Sequence, residues 1–91
     1  MLNEKELKSE LEALAVNIEK KSQELQSAEQ KHAEATAAYN ADPSKLNEAD
    51  MVIAHSDVVN CRAELYLLKR RQESYSRQLE FMQEQAGPAN G

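Results

Sequence analysis

Asn40-Ala41-Asp42-Pro43 is the one break in a chain that otherwise reads as helix, and the fold follows from it. Asp42 can offer a side-chain oxygen to the unpaired N–H groups of a helix start, and Pro43 suits the first helical position, where its missing N–H is no loss. Before the break, Leu2 to Tyr39 contain no Gly or Pro and are rich in Glu, Lys, Gln, Leu and Ala, all strong helix formers. After it, a second helical stretch runs from Ser44 to about Ala86 and meets Gly87-Pro88, a pair that ends helices. The expected organisation is one domain over residues 1–91. It has a first helix over about 2–40, a turn over about 40–43, a second helix over about 43–86 and a frayed tail over 87–91. The opening Met1 and the terminating Gly87 argue against a fragment of a longer coiled coil.

Both segments carry the same repeat. Positions 7, 11, 14, 18, 21, 25, 28, 32, 35 and 39 read Leu, Leu, Leu, Ile, Lys, Leu, Ala, His, Ala, Tyr; positions 51, 54, 58, 61, 65, 68, 72, 75, 79 and 82 read Met, Ala, Val, Cys, Leu, Leu, Gln, Tyr, Leu, Met. Steps of four and three, sustained over many turns, are the signature of a coiled coil. The short link makes the two helices antiparallel neighbours. Folding at the break pairs residues whose numbers sum to 86, so that Ala28 meets Val58, Lys21 meets Leu65, Leu14 meets Gln72 and Leu7 meets Leu79, the alternatives being registers shifted by a whole heptad. No layer then sets polar against polar. Lys21 and Gln72 are seam polar residues of the kind that fix register and partner number.

Composition removes other classes. Ninety-one residues with two Gly, two Pro, one Phe and no Trp are too poor in turn formers and aromatics for a many-stranded sheet. A single Cys allows neither an internal disulfide nor a multi-cysteine zinc site. No apolar run is long enough to span a membrane, and the start lacks a signal-peptide pattern. The expected location is cytoplasmic. Sixteen acidic against eleven basic residues give a net charge of −5, which disfavours a grip on phosphate.

A helix that packs through one seam should be polar on its back. The first helix obeys, with Glu12, Glu19, Lys20, Gln23, Gln26, Gln30 and Glu34 outward. The second does not: Val52, Ile53, Ser56, Val59, Ala63, Tyr66 and Leu67 lie opposite its seam, interrupted mainly by Asn60. Such a contiguous apolar stripe marks an interaction site. Its simplest occupant is a second copy of the chain, the two hairpins being related by a two-fold axis near Val59 and Asn60 and forming a four-helix bundle. The competitor is a different protein that supplies an amphipathic helix.

Chemistry is sparse. His32 on the seam and the nearby His55 lack the ligand spacing of a metal site, for which Glu29, Asp57 and Cys61 are the only other candidates. No metal or cofactor is expected. Protonation of His32 below about pH 6 would loosen the turn end, an effect that a melting temperature flat from about pH 8 to 5.5 would disprove. Cys61 reads as an inert core thiol, and carboxylates on a rod without a cleft have no pocket for acid–base work. A non-enzymatic protein-binding hairpin of adaptor, co-chaperone or inhibitor type, bacterial or phage in style, is the expectation, with no small-molecule substrate. The alternative is a dimeric nucleic-acid-binding hairpin that uses a mid-rod basic girdle of Lys20, Arg62, Lys69, Arg70 and Arg71. No family motif is present.

Overall fold

Asn3 opens the first helix. Its side-chain oxygen accepts the Glu6 N–H at 2.8 Å, while Glu6 Oε1 accepts the Asn3 N–H at 3.2 Å, a reciprocal capping box that satisfies two otherwise orphaned donors. The computed structural model describes residues 2–86. Among these residues there are two elements, α1 (Glu4–Ala41, 38 residues) and α2 (Lys45–Ala86, 42 residues), and no strand. α1 starts two residues later than the sequence expectation because Asn3, reciprocally bonded to Glu6, holds the extended N-cap position. The Gly87-Pro88 stop and the tail beyond it lie outside the described residues.

The turn differs in chemistry from its expected form. Asp42 does not cap α2; it closes α1, its N–H donating to the Ala38 carbonyl at 2.9 Å. The cap of α2 is Ser44, whose Oγ accepts the Asn47 N–H at 3.1 Å and whose carbonyl accepts the Glu48 N–H at 2.9 Å. Pro43 sits at the corner of a tight loop in which the Ser44 N–H donates to the Asp42 carbonyl at 2.7 Å. The reason is reach. Two antiparallel helices stand roughly 8–10 Å apart, and one residue acting as both the end of α1 and the start of α2 cannot bridge that gap. Asn47 then ties the corner together, donating from Nδ2 to the Asp42 carbonyl at 2.8 Å and to the Ala38 carbonyl at 3.4 Å. Asn47→Ala should lower stability by about 1 kcal/mol. For a domain of this size that is a fall in Tm of about 4–8 °C, checked by a thermal melt followed by circular dichroism; an unchanged Tm would remove the clasp from the account.

The seam is the expected one. Every heptad position named above is buried or half-buried, whereas the outward positions of α1 are exposed. The register is visible in the contacts between helices: the His32 and His55 rings lie 5.3 Å apart, and Lys21 Nζ is 2.5 Å from Glu64 Oε2. A shift of one heptad would separate both pairs by about 10 Å. The core is thin, however. Its buried hydrophobic side chains are Leu7, Leu14, Ala28, Val58 and Leu65. The molecule is a rod of 69 × 19 × 14 Å that exposes 6799 Å², against about 5,400 Å² for a compact monomer of this mass.

Lys21 holds a seam position without being sealed in. Its ammonium reaches Glu24 Oε2 at 2.6 Å on α1 and Glu64 Oε2 at 2.5 Å on α2. The hydrogen bond to Glu24, then that to Glu64, raises its pKa above the ordinary lysine value. A raised lysine pKa contributes stability that is fully present below the unfolded value of 10.5 and is lost only as pH climbs through the higher folded value. The bridge therefore holds throughout the neutral range. A cation in a seam specifies register at some expense of stability. Lys21→Leu should raise Tm by several degrees and broaden the distribution of oligomers in sedimentation; a lower Tm with one unchanged species would contradict the specifying role.

Candidate protein-interaction surface

Residues on α2 advance about 100° per step, so a seam of Met51, Ala54, Val58, Cys61, Leu65 and Leu68 leaves Val52, Ile53, Ser56, Val59, Ala63, Tyr66 and Leu67 on the opposite side. The structure leaves all seven exposed, with Ile53 and Leu67 at the stripe's edge, where each lines an open groove together with α1 residues. Val52 is 58% exposed, Ile53 62%, Val59 47%, Tyr66 62% and Leu67 65%, and Ser56, Asn60 and Ala63 are also exposed. They form one stripe about 22 Å long at the helical rise per residue. α1 leaves it uncovered, because α1 packs along the seam side of α2 and comes near only the stripe's edge at Ile53 and Leu67. Three more large apolar side chains are exposed and were not singled out from sequence: Val16 on α1, Leu46 beside the turn and Phe81 towards the open end. Each breaks a polar pattern alone, which is why periodicity did not flag it, and single exposed apolar residues are ordinary.

The stripe is bordered by charge. His55, Asp57, Arg62, Glu64, Lys69 and Arg71 are all exposed on its flanks. Arg62 reaches Glu29 at 3.8 Å, and Glu73 receives both Arg70 at 3.2 Å and Arg77 at 2.6 Å. The expected basic girdle is thus partly neutralised within the chain. Lys20, Lys69 and Arg71 have no ion-pair partner among the described residues.

His32 and His55 meet across the seam near the turn, with their ring planes tilted by 48°. Among the described residues, no group of three or more His, Cys, Asp or Glu gathers at one point. Cys61 is a free, half-buried thiol in the seam. The depressions along the rod are open grooves, the first lined by Asn17, Lys20, Lys21, Glu24, Glu64, Leu67, Leu68 and Arg71. Neither described helix is long and apolar enough to cross a membrane. The chain matches no protein-family model, and no curated protein or solved structure shows significant similarity to it.

Proposed function

We propose that this chain is a non-enzymatic protein-binding hairpin, of the adaptor, co-chaperone or inhibitor kind, which acts by laying the back of α2 against another helical surface. The observation that carries this reading is the exposure of five large apolar side chains within a single stripe, on a rod whose own core is too thin to account for them. In its finer form, two hairpins join back to back and complete a four-helix bundle, giving the stripe the cover that α1 cannot.

Magnitudes favour a reversible association. Full burial of an aliphatic or aromatic side chain is worth about 1.5–3 kcal/mol, and roughly half of that is still to be gained at each stripe residue. Ten such side chains, five on each copy, contribute about 10 kcal/mol gross. Association costs about 4–15 kcal/mol in lost freedom, so the complex should dissociate on dilution. The test is solution mass as a function of concentration for the wild type and for Val59→Glu. The finer form requires an assembly that the substitution takes apart, and an assembly indifferent to the substitution would overturn the stripe as the binding surface.

A further inference from the structure

We propose that the occupant of the α2 stripe is a second copy of this chain, docked antiparallel about a two-fold axis that passes between Val59 and Asn60. The proposal rests on the reading of the stripe as a protein-binding surface, commits to its homodimeric form, and adds the relative direction of the two α2 helices and the charges that select it.

A two-fold interface uses the same patch on both copies, so the patch must map onto itself when the chain direction is reversed. This one does. Counting outward from the midpoint of Val59 and Asn60 pairs Ser56 with Ala63, Ile53 with Tyr66 and Val52 with Leu67. The inner pair is small on both sides and lets the two α2 helices approach. The outer pairs are large on both sides and close the ends of the contact. A surface built for an unrelated protein has no need of such symmetry.

Charge repeats the pattern with its sign inverted. Residues 48–59 carry Glu48, Asp50 and Asp57 and no Lys or Arg, whereas residues 60–71 carry Arg62, Lys69, Arg70 and Arg71 against the one acid Glu64. An antiparallel pair sets the acidic half of each α2 beside the basic half of the other, twice. A parallel pair sets like against like. Glu48, Asp50, Lys69 and Arg71 are exposed and have no ion-pair partner among the described residues, so none is committed to a partner within its own chain. Asn60 falls beside the axis, where each carboxamide meets its own copy and can both donate and accept; one central Asn of this kind fixes the register of paired helices. Any other protein that uses the stripe must displace the second copy.

Cysteine trapping in a Cys61→Ala background reads the orientation. Asn60→Cys should form a covalent dimer on mild oxidation. Val52→Cys alone should not, because the two positions 52 lie about 22 Å apart along an antiparallel pair, but Val52→Cys mixed with Leu67→Cys should give the mixed dimer. Glu48→Lys with Asp50→Lys, and separately Lys69→Glu with Arg71→Glu, should each weaken self-association at least tenfold, and an equimolar mixture of the two variants should restore it. Self-linking of Val52→Cys would overturn the antiparallel arrangement and leave the stripe a binding surface. A monomer at every concentration would overturn the second copy as occupant. An assembly whose mass is indifferent to Val59→Glu would overturn the reading of the stripe itself.

Discussion

Val58→Asp should abolish the helical circular dichroism signal at 25 °C. Val58 is 3% exposed and shares a seam layer with Ala28, so the new carboxylate would enter the centre of the contact between α1 and α2, where the cation one turn on, Arg62, is exposed and already pairs with Glu29. An uncompensated buried charge costs about 3–5 kcal/mol. A domain of ordinary size has only about 5–15 kcal/mol of stability to lose, and this hairpin, with its short set of buried side chains, belongs near the lower figure. Long helices gain most of their stability from packing rather than from propensity, so loss of the seam should melt both together. A cooperative transition within a few degrees of wild type would show that Val58 is not at the centre of the fold.

The neighbouring residue should fail differently. Val59→Glu turns its charge away from α1, and in the proposed dimer two such carboxylates face each other beside the axis. The same 3–5 kcal/mol, now levied on association, corresponds to a rise in Kd of about a hundredfold or more. The variant should sediment as a monomer at concentrations where the wild type is dimeric, yet retain its helical spectrum with a lower Tm. One step along the chain thus separates a folding defect from a binding defect, because one step on a helix turns the side chain by about 100°. If Val59→Glu loses its helices as completely as Val58→Asp, the hairpin folds only as half of a bundle. If its mass equals that of the wild type, the stripe is not the contact.

Most of the fold was legible in sequence because it is written in one-dimensional signals. The absence of Gly and Pro over Leu2–Tyr39 leaves nothing to interrupt a long helix once its seam is packed. The alternating steps of four and three place the seam, and the position of the break sets the register, which the Lys21–Glu64 and His32–His55 contacts display. The back stripe was legible for the same reason, being the remainder of α2 once its seam was assigned. Val16, Leu46 and Phe81 were not legible as exposed residues, since no period distinguishes a lone apolar side chain that finds cover from one that does not.

The sequence by itself determined two helices, their pairing and the face of α2 left without a partner, since helix formation and periodicity depend on residues within a turn or two of one another. Only the tertiary structure decided that Ser44 rather than Asp42 caps α2, that Asn47 clasps the corner, and that Lys21 reaches Glu64 across the seam. Those outcomes depend on the gap between the helix axes, a distance that neither helix carries within itself and that exists only once the two have packed.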